Sequence, residues 1–259
     1  MTTTAPTAAV ITAAGAGARL GADRPKALVP LAGYALVTHA VAGALRAGIT
    51  EVVVTAPASH LDAFRAATTL AAIRACCGSD YGGPEVATSV TVVVGGASRQ
   101  ASVAAGLQTL THLPADAVVL VHDAARCLTP PGVYQRVIAA LAAGWDGVIP
   151  GLPVSDTLKV VAPLSTGGLA DAEPVHGTVD RASMRAIQTP QGFQLGTLRR
   201  AHARYAELGQ DETLAATDDA GLVEKLSGQI GVVEGDMRAL KITTPLDLRV
   251  AELLLTENL

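Results

Sequence analysis

The amino-acid sequence predicts an α/β fold in which a mostly parallel sheet is flanked by helices. Short runs of β-branched residues alternate with longer alanine-rich segments through the first half of the 259-residue chain. The short runs are apolar on both faces, which is typical of buried parallel strands. Hydrophobic residues make up 49% of the chain and aromatic residues only 3%, so the core must be built from Ala, Val, Leu and Ile.

The first half of the chain contains four predicted strands with helical segments between them. The strands are "AAVITAA" (8–14), "EVVVTA" (51–56), "VTVVVGG" (90–96) and "AVVLVHD" (117–123). The segments of helical length and composition are 34–47, 59–75 and 98–110. Alternating strands and helices form parallel pairs through right-handed crossovers, so we expect helices on both faces of the sheet.

The pattern changes after residue 150, where two extended pieces, "GLPVSDTLKVV" and "EPVHGTVDR", are joined by a polar connection. We interpret 152–183 as a projecting β-arm of a single domain that spans 1–259. Helical patterning resumes over 194–208 and 217–227, "IGVVEG" is a predicted strand, and a last helix is expected near 245–256. The segment 76–89 has the composition of a flexible loop.

Composition and charge exclude several classes of protein. A net charge of −4 argues against a general nucleic-acid binder but leaves room for a local basic cluster. The three cysteines, Cys76, Cys77 and Cys127, lack zinc-site spacing, which favours a reducing compartment without a structural metal. The first residues lack the pattern of a signal peptide, and no run of about 18 apolar residues predicts a membrane span. We therefore expect a cytoplasmic protein.

A glycine-rich stretch, "AAGAGARLGADRPKALVPLAG" (13–33), follows the first strand and is predicted to bind phosphate. Its small residues let backbone amides approach a triphosphate, while Arg19 and Lys26 supply positive charge. A dinucleotide-binding loop is disfavoured because Leu20 stands where the third glycine is needed, and Pro25 interrupts the expected helix. A Walker loop is excluded because no Gly-Lys-Ser/Thr occurs. A structural turn that binds nothing remains the alternative.

Further candidate site residues follow the other strands, at the edge where parallel sheets place their ligands. "GGASRQASV" (95–103) follows the third strand and offers Gly95, Gly96 and Ser102. "VHDAAR" (121–126) ends the fourth with Asp123 and Arg126, "TVDR" (178–181) closes the arm, and "LKITTPLDL" (240–248) presents Lys241. Each cluster is a weak signal alone, but their order along the chain is specific.

Taken together, these clusters resemble the 2-C-methyl-D-erythritol 4-phosphate cytidylyltransferase family of the non-mevalonate isoprenoid pathway. The resemblance extends from "AAGAGARLGADRPK" through "PVSDTLK", "TPQGF" and "TDDA" to "VEGDMRALKITTPLDL". It implies a Rossmann-like nucleotidyltransferase fold of the GT-A type and a homodimer whose β-arms embrace. It also implies a Mg²⁺-dependent reaction, with other divalent cations as alternatives, in which CTP and a polyol phosphate give a CDP-alcohol and pyrophosphate.

The resemblance also implies roles for individual residues. Arg19, Lys26 and Lys241 would surround the triphosphate, and Asp123 would lie near the ribose, the metal and the acceptor. The cytosine pocket would be lined by Ala13, Ala14, Gly95, Gly96 and Ser102, and Gly15 would also bind substrate. The acceptor phosphate would be held by Arg126 and Thr189, and from the partner's arm by Thr157 and Arg181, with Asp180 supporting Arg181. Thr217 would lie on the substrate side.

The sequence departs from the family pattern at Ala27 and Cys127, neither of which removes a charged group from the expected site. It also has Ala97 where the family often carries an acidic residue, so one possible contact to the base is missing. The expected chemistry needs no protein nucleophile, because the attacking phosphate monoester is already ionised at neutral pH. His122 is interpreted as a packed residue at the end of a strand. The sequence does not decide whether Arg99 contacts its own helix or a ligand. Cytidylyl transfer to another acceptor such as ribitol 5-phosphate, and a non-catalytic nucleotide-binding protein, remain alternatives.

Overall fold

An eight-stranded, mostly parallel sheet forms the centre of the fold, which confirms the predicted class. The computed structural model describes residues 6–15, 24–78, 88–162, 172–211 and 213–256. The strands of this sheet are β1 (Thr7–Thr12), β4 (Glu51–Ala56), β5 (Ser89–Val94), β6 (Val118–Asp123), β7 (Gly147–Pro153), β10 (Arg185–Ile187), β11 (Gln191–Gln194) and β12 (Ile230–Glu234). Two antiparallel pairs lie outside it: β2 (Pro30–Leu31) with β3 (Tyr34–Ala35), and β8 (Lys159–Val161) with β9 (Val175–Thr178).

The strand order places β1 near the middle of the sheet. The order is β10-β7-β11-β6-β1-β4-β5. Strand β12 pairs with the edge of β7 that faces away from β11. Strand β1 pairs in parallel with β4 and β6, and β5 continues the parallel set beyond β4. The short strands β10 and β11 run antiparallel to their neighbours. The carboxyl ends of β1, β4, β5 and β6 therefore meet at one edge.

Helices cover both faces of the sheet. They are α1 (Leu36–Arg46), α2 (Leu61–Ala67), α3 (Leu70–Cys77), α4 (Arg99–Thr109), α5 (Pro131–Ala142), α6 (Leu195–Arg204), α7 (Asp219–Glu224) and α8 (Pro245–Thr256). Side chains alternate between the faces of β1, so Ala9 and Ile11 pack with α1, α2, α3 and α5. Ala8 and Val10 pack on the other face with α4, α6 and α7.

The helical prediction over 59–75 needs correction, because two helices occupy this region. The first, α2, ends at Ala67, and the hydroxyl of Thr68 donates to the Phe64 carbonyl at 2.8 Å. Thr69 then caps α3, since its hydroxyl accepts a hydrogen bond from the Ala72 amide at 3.2 Å. Helix α5 was not predicted. No helix in the described part of the chain is long and apolar enough to span a membrane.

The segment interpreted as a β-arm begins inside the main sheet. Strand β7 runs to Pro153, after which β8 and β9 form a separate two-stranded hairpin. The chain returns through a short 3₁₀ helix, Arg181–Ser183, and rejoins β7 as β10. A cis peptide bond between Thr189 and Pro190 separates β10 from β11. Residues 152 and 153 thus belong to the sheet as well as to the base of the arm.

Candidate active site

A cavity of about 640 Å³ opens at the edge where the parallel strands end. This volume falls within the range of about 300–1,000 Å³ that is usual for ligand pockets. Its lining comes from separate stretches of the chain: Thr12, Ala13, Ala14, Gly15; Lys26, Ala27; Gly96, Ala97, Ser98, Arg99, Ser102; Asp123, Ala124, Ala125; Lys241, Thr243. Residues 16–23, which include Arg19, lie outside the described residues.

The loops after β1 and β5 contact each other closely at the cavity wall. The Ala13 amide donates to the Thr55 carbonyl at 2.9 Å, and the Gly95 amide donates to the Ala56 carbonyl at 2.8 Å. A Cβ atom on Gly95 would lie 2.8 Å from the Ala14 Cβ. A side chain at position 95 would push the two loops apart, so glycine is needed there for the approach.

Serine hydroxyls hold the next part of the loop. Ser98 caps helix α4 by accepting a hydrogen bond from the Ala101 amide at 3.0 Å. The Ser102 hydroxyl donates to the Ser98 carbonyl at 2.8 Å and accepts from the Gly96 amide at 3.1 Å. A Cβ on Gly96 would lie only 2.3 Å from the Ala101 Cβ. Ser102 therefore stabilises the glycine loop as well as lining the cavity.

Asp123, at the end of β6, is the centre of the charge distribution. Its carboxylate is contacted by Lys241 Nζ at 2.9 Å, Arg99 Nε at 3.4 Å and Arg126 Nε at 3.8 Å. Burial alone would raise the pKa of the Asp123 carboxyl. The positive charges of Arg99, Lys241 and Arg126 outweigh this effect and hold the pKa well below its usual range. Asp123 is therefore ionised at physiological pH.

Lys241 reaches the cavity because the chain around it is fixed to β6 and α8. The Ile242 amide donates to the Ala125 carbonyl at 2.9 Å, and the Ile242 side chain is fully buried. The Asp247 carboxylate accepts hydrogen bonds from the Thr243 and Thr244 amides, each at 2.7 Å. Lys26 approaches from a 3₁₀ helix, Lys26–Leu28, that follows Pro25. The structure thus brings Lys26, Asp123 and Lys241 together.

Two predicted acceptor residues lie behind Asp123 rather than in the cavity lining. The Arg126 guanidinium donates to the carbonyls of Ala239 at 2.8 Å and Ile187 at 3.1 Å. The Thr189 hydroxyl accepts a hydrogen bond from the Asp123 amide at 3.0 Å and lies 2.9 Å from His122 Nδ1. Both side chains therefore stabilise the end of β6 in the single chain.

The remaining predicted residues lie away from the cavity. Thr157, Asp180 and Arg181 are exposed on the arm, and Thr217 is exposed just before α7. Arg181 donates to the Ser155 carbonyl, while the Asp180 carboxylate accepts from the Ala182 amide at 3.1 Å. In the single chain Asp180 thus caps a turn of the arm.

Arg99 is the residue whose role the sequence left open. It lines the cavity, lies 3.4 Å from Asp123, and donates through Nη1 to Asp219 at 2.7 Å. Its position at the start of α4, directly after the capping Ser98 and shortly after a strand, was the available signal. Asp219 is separated from Arg99 by 120 positions, so no local pattern could pair them.

Comparisons with known proteins identify the family. A family model for 2-C-methyl-D-erythritol 4-phosphate cytidylyltransferase matches residues 7–257. Proteins of that name from Saccharopolyspora erythraea and Nocardia farcinica are each 44% identical, over 95% of this chain and 98% and 93% of their own. The crystal structure of that name from Thermus thermophilus aligns with a TM-score of 0.66 at 32% identity, covering 95% of this chain and 97% of its own. This chain therefore belongs to the 2-C-methyl-D-erythritol 4-phosphate cytidylyltransferase family.

Proposed function

We propose that the cavity is the active site in which this enzyme transfers the cytidylyl group of CTP to 2-C-methyl-D-erythritol 4-phosphate. The products are 4-diphosphocytidyl-2-C-methyl-D-erythritol and pyrophosphate, in isoprenoid precursor biosynthesis. The observation that carries the assignment is the convergence of Lys26, Asp123 and Lys241 on one cavity, from stretches far apart in the chain. Membership of the family, over nearly the whole chain, supports the reaction itself.

The reaction requires one bond to form and one to break at phosphorus. An oxygen of the acceptor phosphate attacks the α-phosphorus of CTP, and the bond from that phosphorus to the oxygen of the β-phosphate breaks. The electron pair leaves with pyrophosphate. The attacking phosphate is largely dianionic at neutral pH, since its second pKa is about 6, so no general base is needed. Catalysis rests on alignment and on charge stabilisation.

The lysines supply that charge stabilisation in our proposal. Lys26 and Lys241 lie on the cavity wall, where their ammonium groups would contact the phosphates of the nucleotide. Arg19 would add a third positive charge from the glycine-rich loop. Ala13, Ala14, Gly15 and Gly96 line the cavity with little side-chain volume, which would leave room for the cytosine. Ser102 holds the Gly95–Gly96 loop in place.

Asp123 fits the role of a magnesium ligand in its chemistry. It is ionised, it lies at the cavity wall, and it is the one carboxylate among the described lining residues. One carboxylate with phosphate oxygens suffices for Mg²⁺, which prefers oxygen ligands. When bound, the ion would neutralise part of the negative charge on the phosphates.

The arm supports a homodimer in which each protomer completes the acceptor site of the other. Val160 and Val175 on the β8–β9 hairpin are 51% and 59% exposed in the single chain. A two-stranded hairpin is marginal by itself, and exposed apolar side chains on it favour burial against a second copy. The arm would then carry Thr157, Asp180 and Arg181 to the acceptor phosphate in the partner's site. There they would lie beside the partner's Arg126, Thr189 and Thr217.

A cytoplasmic location is also proposed. Cys76, Cys77 and Cys127 all lie in the described part of the chain, and none is joined in a disulfide. Cysteines that stay reduced are typical of the cytoplasm.

The direct test measures pyrophosphate release from CTP by the purified protein with 2-C-methyl-D-erythritol 4-phosphate, with and without Mg²⁺. We expect Mg²⁺-dependent turnover, and a lower kcat/KM with ribitol 5-phosphate as acceptor. Tight CTP binding without release of pyrophosphate, in a folded protein, would contradict the proposal and favour a non-catalytic nucleotide-binding role.

A further inference from the structure

A buried row of hydrogen-bonded polar side chains leads from the cavity into helices α6 and α7. Arg99 Nη1 donates to Asp219 Oδ2 at 2.7 Å, and His202 Nε2 lies 2.8 Å from Asp219 Oδ1. At its other end, Arg99 Nε lies 3.4 Å from Asp123 Oδ1. Asp219 and His202 are 1% and 5% exposed, and neither lines the cavity. Among the described lining residues, Arg99 is the one that hydrogen-bonds to this pair.

The distances indicate that Asp219, rather than Asp123, fixes the guanidinium. The contact to Asp219 is a short charge-assisted hydrogen bond, whereas the contact to Asp123 is long. The guanidinium is a planar, rigid group, so fixing Nη1 also fixes the direction of the Nε–H bond. Arg99 is thus oriented from the interior toward the cavity.

Asp219 is itself held by the sheet. The Gln191 side-chain oxygen accepts hydrogen bonds from the Asp219 amide at 3.1 Å and the Ala220 amide at 3.3 Å. Gln191 lies in β11, which pairs with β6 next to Asp123. The frame that holds Asp219 is therefore joined directly to the strand that ends at Asp123.

We propose that the buried Asp219–His202 pair positions Arg99, and through Arg99 the Asp123 carboxylate, for cytidylyl transfer. The two oxygens of Asp123 have different partners: Oδ1 faces Arg99, and Oδ2 accepts from Lys241 Nζ at 2.9 Å. A shift of Arg99 turns the carboxylate and displaces the ammonium of Lys241 with it. Asp219 and His202 are positioning residues, and the inference rests on the proposed function of the cavity.

The test compares steady-state kinetics of the full-length enzyme and its Asp219→Asn variant, with CTP binding measured separately by calorimetry. Asparagine keeps the shape of the side chain but removes the charge that holds Arg99. We expect kcat to fall between about tenfold and about a hundredfold, as small misplacements of catalytic groups do. The affinity for CTP and its KM should change less than kcat, because the small residues proposed to hold the cytosine are unchanged.

Substitutions of His202 give a second, milder test, because they leave the ion pair between Asp219 and Arg99 in place. His202→Gln keeps a hydrogen-bond donor for Asp219, whereas His202→Leu removes it. We expect near-wild-type kcat in the glutamine variant and a several-fold loss in the leucine variant. This rescue by a conservative change is a result that a purely structural role would not produce.

Asp62→Asn is the control, since Asp62 pairs with Arg65 at 2.9 Å on the surface of α2. Its kcat should equal that of the wild type. The inference would be overturned if Asp219→Asn and His202→Leu both keep the wild-type kcat and lose only thermal stability. If Asp219→Asn does not fold, equal kcat in the two His202 variants would overturn it. Absence of turnover in the wild type would instead contradict the proposed function.

Discussion

At the scale of single residues, Lys26 and Lys241 are the side chains whose removal should affect the reaction most. We expect Lys26→Ala and Lys241→Ala each to lower kcat by at least about a hundredfold, because each loses a positive charge near the leaving group. Lys241 is 44% exposed in its side chain, so its truncation should not disturb folding. Steady-state pyrophosphate release with both substrates saturating is the measurement.

The matched control is Lys225→Ala, which removes an exposed ammonium that lies over the Tyr205 ring, away from the cavity. Its kcat should equal the wild-type value. Near-wild-type rates in Lys26→Ala and Lys241→Ala would show that the lysines line the cavity without serving the reaction.

A second residue-scale prediction concerns His122, which is fully buried beside Asp123. Burial lowers the pKa of its imidazole from 6.5 to about 4, despite the neighbouring carboxylate. As the pH falls from about 6.5 to about 4, the unfolded chain takes up a proton that the folded chain does not, so stability is lost over this window. The loss amounts to roughly 3 kcal/mol.

Denaturant unfolding at several pH values checks this prediction. His122→Gln should lose less stability than the wild type between about pH 7 and about pH 4.5. His112→Gln, which removes an exposed imidazole, is the control for loss of a histidine. An identical pH dependence in the wild type and in His122→Gln would contradict the assignment.

At the scale of elements, the turn from β5 into α4 is held by tight packing that a single methyl group should disturb. Alanine at Gly96 would place its Cβ 2.3 Å from the Ala101 Cβ, and the first turn of α4 cannot yield without moving Ser98 and Arg99. We expect Gly96→Ala to cost about 1–3 kcal/mol of stability and to raise the KM for CTP. Chemical denaturation and steady-state kinetics measure the two effects.

Gly132→Ala is the matched control, because its Cβ would have an ordinary contact at 3.5 Å with Arg136 in helix α5. That change should be neutral or slightly stabilising. An unchanged KM for CTP in Gly96→Ala would mean that the loop can move without affecting the nucleotide.

The elements also show what the sequence could predict. The four strands predicted in the first half of the chain were placed within about two residues, because a strand buried on both faces has an apolar run that few other structures produce. Strand β7 was recognised only from residue 151 onward, as part of the arm. Strands β10 and β11 were not predicted, since they are three or four residues long and depend on pairing with β6 and β7. Helix α5 could have been recognised from Pro131 at its first turn and from the apolar spacing of Val133, Val137 and Leu141.

The site was predictable to a similar extent. Charged residues directly after strands had to lie near one another, because parallel strands end at one edge. The Arg99–Asp219 contact could not be inferred, because Asp219 reaches the site through helix packing rather than through strand order.

At the scale of the whole molecule, the arm decides whether the active site belongs to one chain or two. The β8–β9 hairpin pairs only with itself among the described strands, and Val160, Val161 and Val175 are exposed on it. Arg181 lies on the same arm, outside the cavity of its own chain. If the arm reaches the partner's cavity, Lys241 and Arg181 of one complete site come from different protomers.

Mixed dimers test this arrangement. Arg181→Ala and Lys241→Ala should each be nearly inactive alone. Subunit exchange between the two variants should restore about a quarter of the wild-type activity. This is because about half of the dimers are then mixed, and each mixed dimer contains one complete site out of two. Mixing Lys26→Ala with Lys241→Ala is the control: both residues serve the same protomer's cavity, so every site in every dimer stays incomplete and activity stays low. Sedimentation of each mixture establishes that dimers are present. No recovery in a dimeric mixture of Arg181→Ala and Lys241→Ala would contradict the contribution of the arm to the partner's site.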